Sequence, residues 1–156
     1  MTHVIQEIAS QPDCWAQAVR RCQTEGPLLP ARGERVAVIG CGTSLFMGQA
    51  YAVLRESAGQ GETDAFPASE FPAGRHYDRL LAISRSGTTT EVLDVLDEVR
   101  GRLPTVAITA DGSMPIREHA DHLVPLEFAD EKSVVQTRFA TTTLALLRAH
   151  LGHDLD

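Results

Sequence analysis

The sequence predicts an α/β protein with a doubly wound, five-stranded parallel sheet flanked by helices. Three observations carry this. Four short apolar runs each end in a polar or glycine-containing turn: Val36-Ala37-Val38-Ile39, Leu80-Leu81-Ala82-Ile83, Val106-Ala107-Ile108 and Leu123-Val124-Pro125-Leu126. Stretches of helical periodicity alternate with them, and strands alternating with helices build a parallel sheet. No internal repeat interrupts the alternation, and the 156 residues fit one domain able to bury its own core.

Each element has its own justification. Short continuous apolar runs rich in Val and Ile read as strands covered on both faces, as parallel sheets are. A fifth, weaker strand is expected over 63–66. At the N-terminus Pro12 suits a first helical turn, and Trp15, Val19 and Cys22 are expected on its buried face. Pro27 and Pro30 then punctuate a linker. A helix over 43–57 is weakly amphipathic and so expected to be well buried. In a helix over 88–100, Val92, Leu96 and Val99 share one face, with Glu91, Asp94, Asp97 and Glu98 on or beside the other. In a last helix over 135–151, Ala140, Leu144, Leu147 and Leu151 form the core stripe.

Charge and cysteine content bound the function. There are 21 acids against 14 bases, a net charge of −7, with no basic run and no basic–aromatic stripe. Such a surface argues against nucleic-acid and membrane-surface partners. Apolar stretches of four or five residues fall far short of the ~20 a spanning helix needs. The N-terminus lacks a signal peptide's basic start and apolar core, so a cytoplasmic location is expected. Cys14, Cys22 and Cys41 make an odd set without CxxC spacing and read as reduced thiols. His119-Ala120-Asp121-His122 has a metal-like composition but spans the start of a strand, with no second ligand cluster. No metal and no cofactor are expected.

In open parallel sheets ligands bind beyond the carboxyl ends of the strands, near the switch in strand order. Three loops fall there. Gly40-Cys41-Gly42-Thr43-Ser44 opens a helix whose free amides suit an anion, although a plain capped turn reads equally well. A dinucleotide fingerprint would need Gly where Leu45 stands. A P-loop would need Gly-Lys, and the single lysine, Lys132, follows Glu131. The second loop, Ser84-Arg85-Ser86-Gly87-Thr88-Thr89-Thr90, gathers five hydroxyls around one glycine. A helix cap needs one hydroxyl, and five can wrap a phosphate dianion. The third loop, 127–133, carries Asp130 and Glu131 near a helix start. There the ordinary reading is helix stabilisation, and only position raises Glu131 as a proton-transfer candidate.

Together these segments resemble the SIS (sugar isomerase) domain of phosphosugar isomerases and phosphosugar-binding regulators. The resemblance rests on Gly40-Cys41-Gly42-Thr43-Ser44, Ala68-Ser69-Glu70-Phe71, Ser84-Arg85-Ser86-Gly87-Thr88-Thr89 and Glu131-Lys132-Ser133-Val134-Val135-Gln136-Thr137-Arg138, in that order. With the lead Glu7-Ile8…Gln11-Pro12…Trp15, the chain is similar to the first SIS unit of tagatose-6-phosphate ketose/aldose isomerase-type proteins. It is also similar to the isomerase half of glutamine–fructose-6-phosphate aminotransferase.

The resemblance implies a flavodoxin-like fold, with residues 1–30 a helical lead and linker and 31–156 one phosphosugar-binding domain. It implies that Ser84, Ser86 and Thr89 hold a phosphate, with Gly87 allowing close approach and Arg85 adding charge. Gly42, Thr43 and Ser44 would border the sugar, and Val134 and Gln136 its far side. Gln136 stands where the aminotransferase relatives carry serine. Glu131 is the catalytic candidate. Because such proteins carry two SIS units, a homodimer or pairing with a second unit is expected. Two readings stay open: part of a phosphosugar aldose–ketose isomerase or deaminase/isomerase, or a stand-alone, non-catalytic phosphosugar-binding module.

Overall fold

A computed structural model describes residues 3–155. Two helices, α1 (His3–Ala9) and α2 (Gln11–Glu25), lead into β1 (Val36–Gly40), α3 (Thr43–Ser57) and β2 (Thr63–Pro67). There follow β3 (Arg79–Ile83), α4 (Thr90–Val99), β4 (Thr105–Thr109), β5 (His122–Pro125) and α5 (Arg138–His150). All strand pairings are parallel, in the order β2-β1-β3-β4-β5.

The apolar runs are continuous because both sheet faces are covered. Val36, Val38, Leu81, Ile83, Val106, Ile108 and Val124 point to one face, against Cys14 and Ala18 of α2, Tyr51 of α3 and Phe139, Leu146 and Leu147 of α5. Their neighbours Ala37, Ile39, Leu80, Ala82 and Ala107 point to the other, against Val92, Val95, Leu96 and Val99 of α4. This alternation is the period-two geometry of a strand.

Three expectations need correction. The buried face of α2 is Cys14 and Ala18, while Trp15 and Val19 are exposed. Small residues let α2 approach α5 closely, and the indole lies at the rim, donating to Thr141 Oγ1 at 2.9 Å. A short extra helix, α1, precedes the expected start. The last helix begins at Arg138 rather than at residue 135, since 130–137 form a loop with Val134 and Val135 exposed. In the metal-like stretch the polar groups serve the fold. His119 Nδ1 meets Asp97 Oδ1 at 2.8 Å, and Asp121 Oδ2 accepts the Thr105 amide at 2.8 Å.

The N-terminal linker is tied to the sheet by a fully buried cation, Arg55 of α3. Its guanidinium donates to the carbonyls of Ala31 (2.7 Å), Glu34 (3.0 Å) and Gly61 (3.2 Å) and to Thr63 Oγ1 (2.9 Å). Carbonyl dipoles therefore replace water around the charge. A planar fork reaches these acceptors and a lysine ammonium does not. Arg55→Lys is expected to lower stability by about 2 kcal/mol in urea unfolding. An unchanged midpoint would show that the fork geometry is dispensable.

Candidate functional site

The strand order reverses between β1 and β3, and the helices that follow these strands, α3 and α4, cover opposite faces of the sheet. The carboxyl ends of β1 and β3 are thus flanked by two helix N-termini, each a source of unpaired amides and partial positive charge.

Loop one enters α3 through Gly42, which holds φ +55 and sits at the N-cap without a side-chain cap bond. Glycine adopts that conformation without steric cost. Thr43 is half-buried and Ser44 buried. Cys41 is half-buried and packs on the α4-side core, and burial pushes its thiol up from the ordinary value.

Loop two is organised around its hydroxyls. Ser84 Oγ accepts the Gly87 amide at 3.2 Å and lies 3.1 Å from Thr89 Oγ1. Ser86 Oγ lies 3.4 Å from the same Thr89 oxygen and accepts the Thr88 amide at 3.2 Å. Three hydroxyls therefore converge at the start of α4. None of them caps the helix: Thr89 occupies the N-cap without a side-chain cap bond. The surplus of hydroxyls is thus not spent on capping.

Arg85 has a different occupation from the one expected. Its Nη1 donates to the Glu131 carbonyl at 2.6 Å and lies 3.8 Å from Asp130 Oδ1. The guanidinium is a strut between loops two and three.

In loop three Glu131 is buried, and its carboxylate caps α5 from seven residues upstream. Oε1 accepts the Thr137 amide and hydroxyl, both at 2.6 Å, and the Arg138 amide at 2.9 Å; Oε2 accepts the Phe139 amide at 3.2 Å. Three protons on one oxygen leave it no lone pair for a substrate. Gln136 is half-buried with its Oε1 buried and unpaired, and Val134 is almost wholly exposed.

Glu7 lies outside all three loops and carries no loop signal. This buried α1 residue reaches loop three, its Oε1 accepting the Lys132 amide at 2.7 Å and the Ser133 amide at 3.3 Å. The signal available in sequence was an acid on a short helix between the apolar residues Ile5 and Ile8. Among the described residues no three His, Cys, Asp or Glu side chains converge as a metal site would require, and no helix is long and apolar enough to cross a membrane.

A hydroxyl cluster at the switch point of a doubly wound parallel sheet places the chain in the class of open α/β domains. Within it the SIS domain family matches residues 30–151, and the chain belongs to that family. The glutamine–fructose-6-phosphate aminotransferase (isomerizing) of Methanothermobacter thermautotrophicus is 35% identical over 119 residues, covering 73% of this chain and 20% of that protein. The C-terminal domain of glucosamine-fructose-6-phosphate aminotransferase from Francisella tularensis superposes with a TM-score of 0.81 at 19% identity, over 96% of this chain and 46% of that one. Tagatose-6-phosphate ketose/aldose isomerase from Escherichia coli superposes with a TM-score of 0.77 at 23% identity, over 96% and 47%. The chain thus spans about a fifth of that curated relative and about half of these structures.

Proposed function

We propose that this chain binds a hexose or hexosamine 6-phosphate. The phosphate sits against Ser84, Ser86, Gly87 and Thr89 at the N-terminus of α4. The sugar lies between Gly42, Thr43 and Ser44 on one side and Val134 and Gln136 on the other. The observation that carries this is the convergence of three hydroxyls on a helix start that none of them caps. Hydroxyls and helix amides hold an anion through hydrogen bonds that can form and break reversibly. Arg85 and Glu131 act here by fixing the loops.

In this reading the chain is the sugar-capturing part of an aldose–ketose isomerase or deaminase/isomerase. The base that moves a proton between C1 and C2 comes from a second SIS unit or a partner copy. The binding-module reading is supported by the commitment of the Glu131 carboxylate to the start of α5, which argues against its acting as the base.

Fructose 6-phosphate and glucosamine 6-phosphate are expected to raise the melting temperature, because they bind only the folded state. The double variant Ser84→Ala/Ser86→Ala removes two bonds to a charged group. Together these are worth roughly 3 kcal/mol, a loss of about 100-fold in affinity. The unliganded melting temperature should fall by several degrees while the chain stays folded, because the Gly87 and Thr88 amides lose the acceptors Ser84 Oγ and Ser86 Oγ. Wild-type affinity in calorimetry would overturn the phosphate assignment.

A further inference from the structure

We propose that Glu7 is a positioning residue: α1 straps the sugar-facing loop of the site in place through this carboxylate. The role rests on the sugar-phosphate reading above and extends it to a helix outside the three loops, which meets loop three through Glu7.

Seven residues are too few for a stable isolated helix, so α1 needs an anchor. Apolar burial does not supply it, because Val4, Ile5 and Ile8 are all exposed. The one buried side chain of α1 is Glu7. Its Oε1 takes the amides of Lys132 and Ser133, while Oε2 and the Ser133 hydroxyl are buried without a well-formed hydrogen bond. The Ser133 hydroxyl beside it, helped by the two amides, outweighs burial and holds this carboxyl below the usual range. It is an anion serving backbone donors, the strong class of hydrogen bond.

Three side chains from different parts of the chain divide the loop between them. Arg85 fixes the carbonyl of Glu131, Glu131 fixes the amides from Thr137 to Phe139, and Glu7 alone fixes the amides of Lys132 and Ser133. Between the last two anchors lie Val134 and Gln136, the residues assigned to the sugar's far side. The contacts that follow Glu7 in sequence belong to α5: Ser10 Oγ accepts from Arg138 Nη1 at 3.2 Å, and Gln11 Oε1 accepts from Thr141 Oγ1 at 2.7 Å. The α2–α5 core and the α5 cap do not use Glu7. Its loss therefore frees the middle of the loop and leaves its ends in place, which is the behaviour of a positioning group rather than of a general stabiliser.

The test uses the full chain with two probes, fructose 6-phosphate and inorganic phosphate. Inorganic phosphate engages loop two alone and serves as the internal control. In Glu7→Ala, exchange of the Lys132 and Ser133 amides should quicken by about tenfold or more, while the Gly87 and Thr88 amides keep their rates. Affinity for fructose 6-phosphate should fall about tenfold with that for inorganic phosphate within about twofold. Glu7→Gln keeps a carbonyl acceptor and should restore most of both losses. The inference is overturned if Glu7→Ala binds fructose 6-phosphate like the wild type, if both ligands weaken in proportion, or if Glu7→Gln behaves like Glu7→Ala. A wild-type chain that binds neither probe overturns the sugar-phosphate reading instead, and the exchange rates then decide alone whether Glu7 orders the loop.

Discussion

Gly87→Val is expected to cost about 3 kcal/mol of stability and to abolish measurable sugar-phosphate binding. Gly87 holds φ +65, where an L-residue is strained and a β-branched one more so. Space is also lacking. A Cβ built there meets Met114 Cβ at 2.8 Å, Ile116 Cγ2 at 3.0 Å and Thr109 Oγ1 at 3.1 Å. Relief by moving the loop outward breaks two bonds that hold it, the Gly87 amide to Ser84 Oγ and the Ile116 amide to the Gly87 carbonyl at 3.0 Å. Since Ser84 Oγ pairs with Thr89 Oγ1, that displacement scatters the hydroxyl cluster itself. Gly87→Ala meets the same contacts without the branched side chain and should cost about 2 kcal/mol. Urea unfolding and calorimetry with fructose 6-phosphate read both effects. A valine variant that binds like the wild type would show that the phosphate does not lie in this loop.

The sheet was legible because each strand carries its own local signal. Continuous apolar runs reproduce β1, β3, β4 and β5 to within a residue or two, and the weaker run over 63–66 corresponds to β2. The hydroxyl loop was legible for the same reason, as Ser84, Ser86 and Thr89 meet within six residues of chain. What escaped was long-range. Glu7 meets Lys132 across 125 positions, and Arg85 meets Glu131 across 46, with no periodicity linking either pair. The buried face of α2 lies one position from the one that apolar character predicts, because residue size decides it. Trp15 is the more apolar residue, yet Cys14 and Ala18 are small enough to let two helices meet. The role of Glu131 is not legible in sequence, since a first-turn acid and a catalytic acid look alike there.

Stability separates those two roles. Glu131→Ala is expected to destabilise the chain by about 4 kcal/mol, because it strips acceptors from the amides of Thr137, Arg138 and Phe139 at once and leaves the buried Phe139 amide unpaired. Glu131→Gln keeps one carbonyl oxygen for the Thr137 and Arg138 protons but sets an amide nitrogen against the Phe139 N–H, and should cost about half as much. It should also loosen the Arg85 contact, which lands on the carbonyl of the same residue. A proton-transfer base behaves the other way round, since glutamine in place of a free carboxylate leaves the fold untouched and removes only turnover. Wild-type stability of Glu131→Gln in urea would therefore return Glu131 to the chemistry. A loss of about 2 kcal/mol fixes it as the cap of α5, and the proton that an isomerase must move is then handled by a group outside this loop.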